Sequence, residues 1–221
     1  LFINRQQSIF YVPPITAVEN SLKYAGITML VSVSSGTLLA YALVKRPHTR
    51  RWLDTLVMLP FGASAVTLGL GFIIAFNRIP QGGGNFPWLI PIAHSLIAMP
   101  FVLRAIQPAL ASIPESLRQS AAVLGASPAR VWWFVEMRLI SRALLVGALF
   151  SFTISLGEFG ATTFISRPEN PTMPVAIFRY LSQPGAMNYG QAMAMATILI
   201  IVCAVMISLL ERLSQTAART E

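Results

Sequence analysis

A chain of 221 residues that is 55% hydrophobic and only 11% charged has too little polar surface to cover its own apolar segments in water. An ordinary soluble domain is excluded, and the bilayer is the natural solvent. The formal charge of +8 does not indicate nucleic-acid binding, because the Lys and Arg residues sit at the ends of apolar runs and form no basic stripe.

Crossing a hydrocarbon core of about 30 Å takes roughly 20 helical residues, and five stretches qualify. Residues 24–44 carry no charge between Lys23 and Lys45, and residues 55–77 lie between Asp54 and Arg78. Residues 88–110 carry Arg104, residues 143–166 carry Glu158, and residues 192–210 enclose the lone Cys203, which has no partner for an intrachain disulfide. The predicted fold class is all-α: a polytopic transmembrane helix bundle forming a single domain over 1–221.

In the second stretch Pro60, Gly62, Gly69 and Gly71 predict a kinked helix with a close-packing face. The run Gln81-Gly82-Gly83-Gly84-Asn85 lacks the following lysine and helix of a phosphate cradle and is expected to be a flexible loop. In the third, Arg104 stands six residues before the span end, about 9 Å of helix rise, so it can snorkel or pack. His94 within that span and His48 in the basic loop before the second have no Cys, Asp or Glu at ligand spacing, and no metal role is expected for either.

The loop 111–142 is predicted to be an elbow. Pro114 opens a helix in which Leu117, Ala121 and Leu124 share a face, Gly125 ends it, and Ser127 with Pro128 starts a second helix that runs through Trp132 and Trp133 into span four. Such an elbow suits transfer of a push from a partner into the bundle, or it is an idle interfacial helix; pattern alone leaves both open.

In span four Ser151, Ser155, Glu158 and Thr162 recur at spacings of four, three and four, one stripe of a helix. An acidic side chain near mid-membrane costs on the order of 3 kcal/mol, so Glu158 is expected to face protein, water or a partner charge. With Ser151, Ser155 and Thr162 it is the candidate lining of a translocation path, or it bonds a neighbouring helix while Gly157 and Gly160 allow backbones to approach. In the loop that follows, Pro168, Pro171, Pro174 and Pro184 punctuate the chain. Ile177, Phe178 and Leu181 there predict a short interfacial helix.

Ten of the sixteen Lys and Arg residues fall in residues 45–52, 111–142 and the tail after 210. The positive-inside rule makes that face cytoplasmic, with the C-terminus on it. Arg5, Lys23, Arg78, Arg167 and Arg179 fall on the other face. Five spans with a cytoplasmic C-terminus put Leu1 outside, and with the missing initiator methionine this predicts a chain truncated upstream.

The stretch Gln119-Ser120-Ala121-Ala122-Val123-Leu124-Gly125 resembles the E-A-A-x-x-x-G loop of type I ABC importer permeases, the binding-protein-dependent transport family. Gln119 and Ser120 depart from its pattern, and Val135-Glu136-Met137-Arg138 stands where the family has I-x-L-P. Further similarity lies at Asn20-Ser21-Leu22, Ala40-Tyr41-Ala42-Leu43 and Leu156-Gly157-Glu158-Phe159-Gly160-Ala161-Thr162. The segments Met173-Pro174-Val175-Ala176-Ile177 and Pro184-Gly185-Ala186-Met187-Asn188-Tyr189-Gly190-Gln191-Ala192 look most like the iron(III) and thiamine branch, where two homologous halves are commonly fused.

The resemblance implies a permease subunit in a bacterial inner membrane, with Gln119, Ser120, Ala121, Leu124 and Gly125 coupling it to ABC ATPase subunits. It also implies an extracytoplasmic substrate-binding protein and a homologous permease half, expected upstream in the same polypeptide. The only lysines are Lys23 and Lys45, so no G-x-x-x-x-G-K-[ST] loop exists. ATP and Mg belong to the ATPase, and this chain is expected to bind no cofactor and no nucleic acid. Cargo is expected to be iron(III) or thiamine, or else another small solute or an oxyanion such as sulfate or molybdate. An ion-coupled secondary transporter would want several midplane acidic or polar sites and finds only Glu158. An intramembrane enzyme finds no nucleophile with a base.

Overall fold

The structure, a computed structural model, describes residues 13–45, 47–76 and 88–218. Arg5, Arg78 and the 81–85 glycine run lie outside the described residues, as does the side chain of His48. The described residues fold into helices: α1 Pro14–Lys45, α2 Pro47–Gly62, α3 Ala65–Phe76, α4 Leu89–Ala111, α5 Glu115–Val123, α6 Pro128–Val131, α7 Met137–Gly157, α8 Gly160–Ile165, α9 Met173–Leu181 and α10 Ala186–Ala218, with a π-helical turn at Trp132–Glu136 joining α6 to α7. Among them four helical segments are long and apolar enough to cross a membrane, or five if the bent pair α2–α3 counts as one.

The centre of the bundle is the mutual packing of α1, α4 and α7. Helix α1 turns a column of small side chains inward, with Ala17, Ser21, Ala25, Thr28, Ser32, Gly36 and Ala40 all buried, so its backbone comes close to its neighbours. A Cβ at Gly36 would lie 2.8 Å from Val102 Cγ1, too near for any side chain. Two apolar clusters result. One joins Ala40, Leu43, Val102, Leu103, Ile106, Leu110 and Ile140 near the elbow; the other joins Ala17, Ala25, Leu156, Met173, Tyr180 and Met195 toward the opposite end.

Two predicted spans are not single helices. The predicted span 55–77 falls, as far as Phe76, on α2 and α3, which meet at a bend of 96°. Pro60 lacks an amide donor and Gly62 is a poor helix former, and the helix restarts where Ser64 O accepts from Leu68 N at 3.0 Å. Only one of the four residues read as a close-packing face fits that description within a helix: a Cβ on Gly69 would sit 2.9 Å from Ala161 Cα, whereas Gly62 and Gly71 have nothing within 4 Å.

Residues 143–166 are likewise interrupted, because α7 stops at Gly157 and α8 begins at Gly160. Glu158 is extended, with φ −72 and ψ 117, and its carboxylate accepts from Ala161 N at 2.6 Å, so the side chain caps the new helix instead of continuing the old one. The short helices α3 and α8 then pack against each other.

The predicted helix in the 167–189 loop is α9, but its buried face is Met173, Val175, Ala176 and Tyr180, while Phe178 and Leu181 are exposed. Met173 N donates to Ser21 Oγ at 2.7 Å and Arg179 Nη1 to Pro168 O at 3.0 Å. Burial lowers the Arg179 guanidinium below the ordinary arginine value, against the pull of Glu169.

Candidate functional site

Two places bring together the residues singled out by sequence. The first is the elbow. Helix α5 buries none of its residues; Gln119 and Ser120 are exposed, Ala121 is half-buried, and Val123 and Leu124 are each 87% exposed. The tip of the helix is thus apolar and open to its surroundings.

Gly125 ends α5 with φ +83. Gly125 N donates to Ala122 O at 2.9 Å and Ala126 N to Ala121 O at 3.0 Å, the paired bonds of a left-handed helix stop. Nothing lies within 4 Å of a Cβ placed there, so the position needs glycine for its backbone and not for space. Ser127 Oγ accepts from Arg130 N at 3.4 Å, with Pro128 in the first turn of α6. The chain then passes through the π turn straight into α7, as the spacing predicts.

Sequence reasoning overlooked what holds the elbow to the span. Arg118 Nε donates to Glu136 Oε1, and its Nη1 donates to Glu115 Oε2 at 2.9 Å. Burial alone would lower the Arg118 guanidinium, but its bonds to Glu136 and Glu115 outweigh that and hold it above the ordinary arginine value. The Glu115 pair was readable as an i,i+3 spacing, whereas Glu136 lies 18 residues away and only the fold brings it near.

The second place is the interruption of span four. Ser151, Ser155, Glu158 and Thr162 are all buried, at 0%, 4%, 9% and 0% exposure, and they face the inside of the bundle. Two of them, Ser155 and Thr162, meet at His94 on α4, a residue for which sequence pattern indicates no role. Its Nδ1 lies 2.7 Å from Ser155 Oγ on α7 and its Nε2 2.7 Å from Thr162 Oγ1 on α8. In the neutral ring one nitrogen donates and the other accepts, so one hydroxyl accepts a hydrogen bond from the ring and the other donates one to it.

Helix α1 completes the network. Ser155 Oγ is 3.3 Å from Thr28 Oγ1, Ser151 Oγ donates to Thr28 O at 3.4 Å, and Thr28 Oγ1 donates to Pro91 O at 3.4 Å. One imidazole therefore bridges both sides of the break, with Glu158 capping the far side. The outer halves touch without spare room, since a Cβ on Gly160 would lie 2.9 Å from Ala65 Cβ. Gly157, also expected to allow close approach, has nothing within 4 Å. Arg104, open between snorkelling and packing, places Nη2 3.4 Å from Asp54 Oδ2 and ties α4 to α2. Among the described residues no group of three or more His, Cys, Asp or Glu is placed to hold a metal ion.

Proteins of known kind share this chain's sequence and shape. It is 31% identical over 209 residues to the molybdenum transport system permease protein ModB of Haemophilus influenzae, covering 88% of this chain and 91% of that one. It is 30% identical over 167 residues to a 2-aminoethylphosphonate transport system permease protein, PhnV, of Salmonella typhimurium, covering 76% of this chain. The match spans 62% of PhnV's own length.

In shape it follows a chain of a bacterial alginate ABC transporter solved with an alginate pentasaccharide-bound periplasmic protein. The TM-score is 0.71 at 19% identity, over 96% of this chain and 80% of that one. A chain of the inward-facing MetNI methionine ABC transporter gives a TM-score of 0.70 at 17% identity, over 91% and 94%. The sequence model of one family fits residues 32–219, a range that includes both the elbow and the interrupted span, and the chain belongs to that family, the binding-protein-dependent transport system inner membrane components.

Proposed function

We propose that the chain is the permease subunit of an ATP-driven importer, working by alternating access. The single observation that carries this reading is the elbow: a fully open apolar helix tip, stopped by a left-handed glycine and continuous through α6 with a membrane-spanning helix. Gln119, Ser120, Ala121, Leu124 and Gly125 form the contact with an ABC ATPase, on the cytoplasmic face given by the basic loops. ATP and Mg are held by that ATPase and none by this chain. An extracytoplasmic binding protein delivers cargo at the opposite face, and a homologous permease half completes the path.

Within the bundle, Ser151, Ser155 and Thr162 serve as the pins of a hinge. Their burial against Thr28 and His94 supports this over direct contact with cargo, the role expected from the stripe. Glu158, at the break itself, borders the path and caps the helix that moves.

Two cargo classes have support. The segments 173–177 and 184–192 look like the iron(III) and thiamine branch, while the relatives named for molybdenum and 2-aminoethylphosphonate favour an oxyanion or phosphonate. The test is reconstitution in proteoliposomes with the ATPase and binding protein encoded beside this chain. The reading expects co-purification and ATP hydrolysis stimulated by loaded binding protein, with competition among labelled cargoes deciding the class. Uptake driven by a proton or sodium gradient without ATP would overturn it.

A further inference from the structure

Helix α5 has few holds on the molecule. It buries no residue, and its main packing partner is the four-residue α6. Joined to α6 only through the glycine turn, it would pivot at Gly125, and a push on its tip would be spent in turning the helix. One side chain gives the helix a second hold. Arg118 is 18% exposed on a helix whose other residues, Ala121 apart, are open to their surroundings, and it donates to Glu136, whose side chain is 3% exposed.

Glu136 closes the π turn at the base of α7. A π turn carries one more residue than an α turn and resets which side chains face inward, a device often found at functional sites. Here it ends with a carboxylate at 2% exposure in a region where its neighbours Trp133 and Phe134 stand out at 63% and 75%. Its second oxygen, Oε2, has no partner among the described residues. Burying a half-satisfied carboxylate is a poor way to gain stability, since desolvation cancels much of the attraction. What the pair does gain is geometry, because the planar guanidinium fixes direction as well as distance.

The chain through Gly125 and α6 is one link between α5 and α7; the Arg118–Glu136 pair is a second, and two links make a triangle that cannot pivot. We propose that Arg118 and Glu136 form a brace that makes the elbow rigid, so that force on the α5 tip displaces α7 instead of rotating α5. Both are positioning residues, and neither touches cargo or nucleotide. The inference rests on the reading of α5 as the ATPase contact.

The test uses the complete transporter in proteoliposomes, comparing wild type with Arg118→Met, Arg118→Lys and Glu136→Gln. Arg118→Met should assemble with the ATPase and hydrolyse ATP, but move about tenfold less cargo per ATP, a size typical of coupling between sites. Arg118→Lys, which keeps the charge but loses the planar fork, should recover part of the loss, and Glu136→Gln should fall between. Amide exchange in α5 of the isolated chain should be faster in Arg118→Met than in wild type, with α1 and α4 unchanged.

Unaltered cargo per ATP in Arg118→Met, with wild type active, overturns the brace and leaves the importer reading intact. Absence of ATP-driven uptake in wild type overturns the importer reading itself. Where a variant does not assemble, α5 exchange decides: faster exchange supports the brace, and wild-type exchange refutes it.

Discussion

The elbow and the interrupted span are built on opposite plans. The elbow is exposed, held by a glycine turn and the Arg118–Glu136 ion pair, and its helix α5 buries no residue. The break at Glu158 is buried, with His94, Thr28, Ser155 and Thr162 joined by hydrogen bonds between two apolar clusters. The difference teaches where each part's constraint lies. A surface that must accept a partner keeps its apolar side chains outside, so its residues matter little to folding. A hinge inside a membrane bundle must satisfy every polar group it exposes as it bends, so its residues matter to folding first.

Substitutions can break that contrast, and the largest effect on stability belongs to His94. Replacing it with Leu removes two short bonds and leaves Ser155 and Thr162 only their longer contacts to Thr28 Oγ1 and Glu158 O, and each lost buried hydrogen bond costs about 0.5–1.5 kcal/mol. The thermal midpoint in detergent should fall accordingly; an unchanged midpoint would show that the network is not structural. Gly69→Val comes next. Its new Cβ would meet Ala161 Cα at 2.9 Å and its carbonyl oxygen at 3.0 Å, backbone that cannot step aside, so a loss of about 2 kcal/mol is expected. Gly71→Ala on the same helix, with open space around it, should leave the midpoint where it is or raise it slightly.

At the elbow the ranking of stability and function reverses. Gly125→Val forces a branched side chain into φ +83, a strain of roughly 1–2 kcal/mol confined to one turn. It should leave insertion intact and ATP hydrolysis measurable while uptake is lost, and full uptake in this variant would remove the elbow from the mechanism. Leu124→Ser should have the smallest effect on folding, within about 0.5 kcal/mol, because the side chain is 87% exposed. Weaker co-purification with the ATPase is its expected signature.

The elbow was legible because its signals are local. Pro114, Gly125, Ser127 and Pro128 each set the backbone within one or two residues of themselves, and the structure puts a turn or cap at each. The bundle's apolar helices were legible for the same reason, since length and hydropathy are properties of a window. The bend near 63–64 is legible as a kink from Pro60 and Gly62, though not as a 96° break, and the interruption at 158–159 is not legible. A carboxylate that reaches its own amide three residues on reads, in sequence, as one more member of a helical stripe.

His94 was hidden more deeply. Nothing in its neighbourhood names Ser155 or Thr162, which lie 61 and 68 residues away. One signal was available: the small residues of α1, from Ala17 to Ala40 at steps of three and four, mark a face to which polar groups of other helices can come close. Glu136 was read only as a departure from a family pattern, and its pairing with Arg118 needed the elbow to be folded first.

Everything here depends on the tip of α5 facing the compartment that holds the ATPase. The direct measurement is labelling of Leu124→Cys, in a background where Cys203 is replaced by Ser, with a membrane-impermeant maleimide. Reaction in inside-out vesicles, none in intact spheroplasts, and protection when the ATPase is added is the predicted result. Labelling from the outer face of spheroplasts would contradict the account.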